Sequence, residues 1–317
     1  MTAGPDLTTR VGAVELPNPV TTASGTSGHG AELGAYLALG ELGAVVVKSL
    51  AAFPWPGNPS PRLHPVPGGM LNAIGLQGPG VAAWREHDLR GLVATGARVV
   101  ASIWGRTVDE YAAAAEALAG APGVVAVEIN LSCPNLAHAD RAGQAMFAHD
   151  AEATRAAVAA AGASGLPRWA KLSPNCAGLG DIAAAAVDGG AAAVTLVNTL
   201  LGMVIDTDTG RPVLGAGGGG LSGAAIHPVA VRAVHDVRAA QPHLPIVGVG
   251  GVRRGRDAVE LMLAGASAVQ VGTASFADPR APARVLAELR EWCQRRGVAR
   301  AADLVGAAHR GGIEWSE

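Results

Sequence analysis

The residue in this sequence best suited to chemistry is a cysteine flanked by amides. Cys133 stands in the segment NLSCPN, residues 130–135, just after an apolar run. A thiol with a pKa of about 8.5 is within reach of use as a base at neutral pH, and more so beside a cation. Unreactive buried cysteines are common, and we expect Cys176 and Cys293 to belong to that class. The polar neighbours of Cys133 favour a general base instead.

The two lysines are the next candidates. The chain has 24 basic residues, and only Lys48 and Lys171 among them are lysine. Arginine serves elsewhere, so each lysine is expected where a compact charge on a flexible stem is needed. Lys171 is expected to face a ligand that gains negative charge, and Lys48 a carboxylate or a cofactor. The alternatives are that the two lysines have their positions by chance, or that Lys171 is an ordinary lysine at a strand end whose ammonium extends to solvent.

Amides and glycines complete the chemical set. Asn72, Asn130, Asn135 and Asn198 offer paired donors and acceptors, which suits a flat heterocycle with alternating C=O and N–H groups. The turns GVGGV (248–252) and VGTA (271–274) expose backbone N–H groups that suit a phosphate. Asparagine is also common in ordinary turns, and both glycine segments also fit tight turns without a ligand. No metal spacing links the nine histidines, which we expect to be structural or on the surface.

Positioning these residues requires a repeating strand–helix architecture. Apolar runs predict eight parallel strands, at 20–23, 44–47, 98–103, 124–129, 168–172, 193–197, 246–249 and 268–271. Helices are predicted between most of them, at 31–42, 81–95, 108–119, 151–161, 180–188, 227–239 and 258–264. Gly28–Gly30, Gly68–Gly69 and Gly215–Gly223 are expected to be loops.

This alternation predicts the α/β class, with one (β/α)₈ TIM barrel domain over residues 1–317. A short N-terminal hairpin at 10–19 would close its bottom, and residues 281–317 would form a closing helix and a tail. Active sites of this fold lie at the carboxyl ends of the strands. Lys48, Cys133, Lys171, Asn198 and the glycine turns all fall there.

Composition excludes several other classes. A net charge of −2 gives no reason to expect a nucleic-acid partner. The sequence has no apolar run of spanning length, amphipathic basic helix or signal-peptide pattern, so no membrane association is expected. Three scattered cysteines do not form a disulfide framework, which favours a reducing cytoplasm.

The motifs, in order and spacing over nearly the whole chain, resemble the class 1 dihydroorotate dehydrogenases. They are TASGTSG (22–28), VVVKSL (45–50), GNPSPR (57–62), GGMLNAIGLQGPG (68–80), NLSCPN, KLSPN (171–175), VNTLLGMVID (197–206), GGLSG (219–223), GVGGV and VQVGTA. The likeness is greatest to the class 1B catalytic subunit. The cysteine at the base position, and an N-terminus without a membrane-associating extension, distinguish this chain from class 2.

The resemblance implies FMN-dependent oxidation of (S)-dihydroorotate to orotate in pyrimidine biosynthesis. Cys133 would take the C5 proton while hydride passes from C6 to N5 of FMN. The implied FMN residues are Ser24, Lys48, Ser49, Ser102, Asn130, Lys171, Val197, Gly223, Gly250, Gly251, Gly272 and Thr273. The implied substrate residues are Lys48, Asn72, Ala73, Ile74, Gly75, Leu76, Asn130, Asn135, Asn198 and Thr199.

The resemblance also implies an FAD and iron–sulfur partner subunit that passes electrons to NAD⁺, and a homodimer or heterotetramer. This chain has no cysteine cluster of its own for an iron–sulfur centre. Two departures from the family are Ser102, where asparagine is usual, and the loop 136–147, which is unlike the usual glycine-rich loop. Other functions left open are a dihydropyrimidine dehydrogenase-like activity on uracil or thymine, a non-redox FMN isomerase, and a phosphate-binding barrel without catalysis.

Overall fold

A barrel of eight parallel strands organises the chain. The computed structural model describes residues 4–132 and 147–313. Within these residues the strands are β1 Thr9–Val11, β2 Val14–Leu16, β3 Val20–Thr22, β4 Val45–Val46, β5 Leu63–Val66, β6 Gly69–Asn72, β7 Val99–Ile103, β8 Val124–Asn130, β9 Arg168–Lys171, β10 Ala193–Leu196, β11 Leu200–Gly202, β12 Gly219–Ser222, β13 Ile246–Val249 and β14 Ala268–Val271. The barrel order is β3-β14-β13-β10-β9-β8-β7-β4. A parallel bridge between Thr21 and Ala44 joins the two ends of this sheet. The predicted (β/α)₈ barrel is confirmed.

Helices cover the outside of the barrel. They are α1 Val81–Trp84, α2 Arg90–Ala94, α3 Val108–Glu116, α4 Ala151–Ala160, α5 Leu179–Asp188, α6 His227–Ala240, α7 Gly255–Ala264, α8 Ala274–Ala277 and α9 Ala281–Arg295. A π-helical turn, Arg85–Leu89, joins α1 to α2. Side-chain caps fix the first residue of several helices. At α3 the Thr107 side chain accepts a hydrogen bond from the Glu110 backbone N–H. Because helices cover the strands outside and side chains fill the barrel inside, most barrel strands are buried along their length, as their apolar runs predicted.

One predicted helix is wrong. The segment 31–42 contains two short 3₁₀ helices, Glu32–Ala35 and Leu39–Glu41, instead of one α-helix. Its alanines and leucines favour an α-helix, but Gly34 and Gly40 interrupt the run. At Gly40 a Cβ would come within 3.0 Å of the Thr95 carbonyl oxygen, so close backbone contact decides the local path.

The floor of the barrel is closed by the predicted hairpin. Strands β1 and β2 pair antiparallel, with Thr9 opposite Leu16. Val11, Val14 and Leu16 pack into the same apolar cluster as barrel residues, among them Trp169. The hairpin therefore fills the bottom of the barrel, and the opposite end is left for a site.

A second sheet covers part of the upper end and was not predicted. Strands β11, β12, β6 and β5 form it in that order, all antiparallel. The prediction that 215–223 is entirely loop is wrong, because Gly219–Ser222 is strand β12. One face of this sheet packs on a small cluster that includes Leu71, Ala73 and Leu214. Its other face turns toward the cavity described below.

The C-terminal segment closes the molecule as predicted, as far as residue 313. Helix α9 packs on α7, and the following chain returns to the N-terminus. There the Asp6 N–H donates to the Ala299 carbonyl, and the Ala301 N–H to the Asp6 carbonyl. In the described part of the chain, no helix combines the length and the apolar character needed to cross a membrane.

Candidate active site

A cavity of about 720 Å³ opens at the carboxyl ends of the barrel strands. Its walls come from the loops after β3, β4, β8, β9, β10, β13 and β14, and from the cavity-facing side of the antiparallel sheet. A volume of this size accommodates a cofactor together with a small substrate. The site therefore lies where the barrel architecture predicts it.

Nearly all residues predicted to contact the cofactor line this cavity. They are Ser24, Lys48, Ser49, Asn130, Lys171, Val197, Gly223, Gly250, Gly251, Gly272 and Thr273. Ser102 does not line it. That side chain is fully buried behind Ser49, with the two hydroxyl oxygens 2.8 Å apart.

The residues predicted to contact the substrate divide into three groups. Asn72, Ile74, Gly75, Leu76, Asn198 and Thr199 line the cavity with Lys48 and Asn130. Ala73 is buried in the small cluster behind the antiparallel sheet and does not reach the cavity. Cys133, Asn135 and most of the loop 136–147 lie outside the described residues.

Lys171 projects from the end of β9 into a buried polar cluster. Its Nζ lies 3.0 Å from Ser24 Oγ, and 3.4 Å from both Glu128 Oε1 and Gln270 Oε1. The side chain is 5% exposed and that of Glu128 is fully buried. The cavity thus has a cation in its wall whose counter-ion lies inside the barrel.

A chain of amides and hydroxyls runs across the mouth of the barrel. Asn130 Nδ2 donates to Ser49 Oγ at 3.1 Å. Asn198 Nδ2 donates to Asn130 Oδ1 at 3.2 Å and to Ser132 Oγ at 2.8 Å. These bonds fix the orientation of both amides, so their positions toward a ligand are set before it binds.

Lys48 lies on another part of the wall, where its Nζ donates to the Gln77 carbonyl oxygen. His29 is close by. Burial, and next the positive charge of Lys48, lower the pKa of that imidazole, while Asp88 and Glu32 oppose the shift. The neutral form of His29 is thereby favoured, and Lys48 supplies positive charge at this part of the wall.

The glycine turns bring backbone close to the cavity. Gly250 has φ +139° and Gly251 φ +69°. A Cβ on Gly250 would lie 2.6 Å from the Ala230 Cβ, and one on Gly251 2.6 Å from the His227 Cβ. Only glycine fits both the space and the dihedral angles, and it leaves the peptide edge open to an anion.

Sequence reasoning missed several residues of the site. Glu128 is the only charged residue of β8 and Gln270 the only polar residue of β14, and a polar residue in a buried strand was the only signal available. Ser222 and Met70 line the cavity from the unpredicted sheet, and Ser222 Oγ accepts from Thr273 Oγ1 at 2.8 Å. Arg253 also lines the cavity, directly after the Gly250–Gly251 turn.

Of the other two cysteines, which were expected to be buried and unreactive, Cys293 is buried and Cys176 is half-buried. Burial raises the pKa of the Cys293 thiol to about 11 and also raises that of Cys176. In residues 4–132 and 147–313, no group of three or more His, Cys, Asp or Glu side chains is arranged to hold a metal ion.

Comparison with known proteins places this barrel and cavity in a family. The family model described as dihydroorotate dehydrogenase matches residues 6–292. The chain belongs to the dihydroorotate dehydrogenase family.

Several similar proteins of that family are catalytic subunits by name. The chain is 48% identical over 303 residues to the "Dihydroorotate dehydrogenase B (NAD(+)), catalytic subunit" of Desulforudis audaxviator (strain MP104C), covering 95% of this chain and 97% of the relative. It is 44% identical over 304 residues to the protein of that name from Geobacter sp. (strain M21), covering 96% and 98%. For that of Pelobacter propionicus (strain DSM 2379 / NBRC 103807 / OttBd1) the identity is 45% over 305 residues, with the same coverage. The predicted likeness to class 1B is confirmed.

Proposed function

We propose that this protein oxidises (S)-dihydroorotate to orotate in pyrimidine biosynthesis, with FMN as its cofactor and Cys133 as the general base. The observation that carries the proposal is the composition of the cavity wall. One cavity joins a buried lysine, two fixed amides and two glycine turns, and a second lysine lies at its edge. The names of the relatives point to the same reaction.

The wall fits FMN. The turns at Gly250–Gly251 and Gly272–Thr273 suit the phosphate because their backbone is open to the cavity. Lys171 suits the edge of the ring system that gains electron density, since its ammonium is held at the wall by Ser24, Glu128 and Gln270. When bound, FMN supplies the hydride acceptor for the oxidation.

The remaining wall fits a flat, amide-rich ring with one carboxylate. Asn72, Asn130 and Asn198 present donors and acceptors, and the amide orientation of Asn130 and Asn198 is fixed by the chain to Ser49 and Ser132. Lys48 supplies the cation for the carboxylate. Asn135, next to the base in sequence, belongs to the same proposed set.

Cys133 follows Ser132 directly in the chain. Ser132 is fully buried, and its Oγ accepts from Asn198. The residue that precedes the proposed base is thus anchored beside the two fixed amides. In the proposed role the Cys133 thiolate takes the C5 proton of dihydroorotate, which its ionisation range permits near neutral pH.

The relatives are catalytic subunits, and we propose that this chain too works with an electron-transfer subunit. That partner would carry FAD and an iron–sulfur centre and would pass electrons to NAD⁺. We also propose that residues 1–317 form a single FMN-binding domain, that the protein acts in the cytoplasm, and that it assembles as a homodimer or heterotetramer. Size measurement of the chain alone and with its partner tests the assembly.

Stopped-flow flavin reduction tests the proposed activity. Under anaerobic conditions dihydroorotate should bleach the flavin absorbance of the FMN-loaded protein. In Cys133→Ser the reduction should be much slower near neutral pH while FMN stays bound, because an alkoxide forms far less readily than a thiolate. An unchanged rate in Cys133→Ser removes Cys133 from the role of base.

The same assay separates the other functions. Faster reduction by dihydrouracil than by dihydroorotate, with Lys48→Ala harmless, identifies a dihydropyrimidine dehydrogenase-like enzyme, whose substrate lacks the carboxylate. A flavin that dihydroorotate does not reduce points to an isomerase. A colourless protein that takes up no FMN is a phosphate-binding barrel. Reoxidation by NAD⁺, fumarate and quinone, with and without the partner, identifies the electron acceptor.

A further inference from the structure

Glu128 is a buried acid that the proposed reaction does not use. It lies on β8 two residues before Asn130, so both side chains point into the barrel, with Glu128 one layer deeper. It is fully buried and does not line the cavity. Among the ion pairs of the described residues, its pair with Lys171 is the only one in which both side chains are nearly inaccessible.

The hydrogen bonds of this cluster define the state of the carboxylate. Glu128 Oε1 accepts from Lys171 Nζ, and Oε2 accepts from Gln270 Nε2 at 2.7 Å. Because both oxygens face donors, the ionised form satisfies the cluster without a proton on the acid. Gln270 Oε1 in turn accepts from Lys171 Nζ, so one amide touches both members of the pair.

The arrangement also has a direction. Lys171 and Ser24 line the cavity, while Glu128 lies behind them. A ligand in the cavity therefore meets the ammonium first, with its counter-charge on the far side. A buried ion pair seldom stabilises a fold more than apolar residues of the same volume do, so fold stability alone is a weak reason to keep this pair.

We infer that Glu128 is a positioning residue for the cavity cation: its carboxylate holds the Lys171 ammonium in place, directed toward the bound ligand. This inference rests on the proposed function only for the identity of that ligand. Without the carboxylate, the ammonium loses its counter-charge and one of its three polar contacts. Glu128 would thereby set how strongly the cavity favours a ligand that gains negative charge.

The scarcity of lysine makes a direct test possible. Lys48 and Lys171 are the only lysines of the chain, so lysine-specific isotope labelling gives two side-chain NMR signals in the full-length protein without ligand. Lys171→Gln assigns them. In the isosteric variant Glu128→Gln, studied at one fixed pH, the Lys171 Nζ signal should shift because the ammonium loses its counter-charge, and the Lys48 signal should stay in place. Glu291→Gln, which removes an exposed acid on α9, is the control and should move neither signal.

A Lys171 Nζ signal at the same position in folded Glu128→Gln and in the parent protein overturns the inference. If Glu128→Gln does not fold, Glu128→Asp replaces it, because the shorter side chain keeps the charge but moves it away from Nζ. A smaller shift in the same direction is then expected, and no shift again overturns the inference.

A second measurement separates this inference from the proposed function. In the FMN-loaded protein, Glu128→Gln should change the ratio of affinities for reduced and oxidised FMN by about tenfold, and Lys171→Gln should abolish that change. If the Lys171 signal shifts but the ratio does not change, Glu128 positions Lys171 as inferred and the proposed placement of FMN against Lys171 is wrong.

Discussion

Tyr111 ties an outer helix to the strand that carries the site, which makes it a sensitive point for perturbation. Its hydroxyl, from α3, donates to the Asn130 carbonyl oxygen at 2.7 Å. The side chain is 2% exposed, and its ring packs edge-to-face on Phe147 with centroids 5.3 Å apart. Tyr111→Phe removes this hydrogen bond and keeps the ring contact.

The expected cost follows from that geometry. Losing a buried hydrogen bond and leaving the carbonyl without this donor destabilises a protein by about 1–2 kcal/mol. For a chain of this length, that corresponds to a fall in Tm of about 1.5–3 °C. Asn130 also anchors the amide chain, so the variant should lose less than about 1 kcal/mol of substrate-binding free energy. The KM for dihydroorotate should therefore rise a few-fold.

Thermal and urea unfolding followed by circular dichroism measure the stability, and steady-state kinetics the KM. The chain offers a matched control, since its only other tyrosine, Tyr36, is 58% exposed. Tyr36→Phe should change stability by less than about 0.5 kcal/mol. If Tyr111→Phe is as stable as Tyr36→Phe, the Tyr111–Asn130 bond does not support the site in the way argued.

Two further substitutions test other parts of the site, and a third tests a buried thiol outside it. Gly251→Ala should weaken FMN binding about tenfold or more, because the new Cβ meets His227. The control is Gly297→Ala, where φ is a similar +65° but the space around the Cβ is open, so FMN affinity should not change. Equal affinities in the two variants would contradict the argument from close approach. Ser102→Ala removes the partner of Ser49 and should raise the FMN dissociation constant about fivefold, while Ser275→Ala, whose hydroxyl has no hydrogen-bond partner in the described structure, should leave it unchanged. Burial raises the pKa of the Cys293 thiol from 9.0 to about 11. The contribution of this thiol to folding stability is therefore complete below pH 9 and is lost as the pH rises through 11. The urea midpoint of the parent protein should fall over this range, and that of Cys293→Ala should fall less.

The barrel and much of its site could be predicted because their signals are local. Buried parallel strands require uniform apolar runs, and the fold places whatever follows each strand at one end, so Lys48, Asn130 and Asn198 could be assigned to one cavity from position alone. The antiparallel sheet could not, because Met70 pairs with Ser222 across about 150 residues of chain, and β12 is rich in glycine. Pairing of this kind leaves no periodic pattern in either segment.

Other errors came from single residues. The α-helix predicted at 31–42 does not form, because Gly34 and Gly40 outweigh the helical preference of the alanines and leucines around them. Glu128 and Gln270 were not predicted because the role of a polar residue inside a barrel can be inferred only when its hydrogen-bond partner is known. That partner, Lys171, lies on a different strand. The sequence predicted the lysine and the structure added the acid behind it.

The hairpin that fills the barrel floor has a kinetic consequence. Val11, Val14 and Leu16 pack beneath the strands, so in the described part of the chain the floor of the barrel is closed and the cavity opens at the upper end. Product that lingers therefore occupies the entrance of the next substrate molecule. Orotate should act as a competitive inhibitor toward dihydroorotate, and an electron acceptor that reaches the cavity by diffusion has no route through the described floor and has to use the upper end as well.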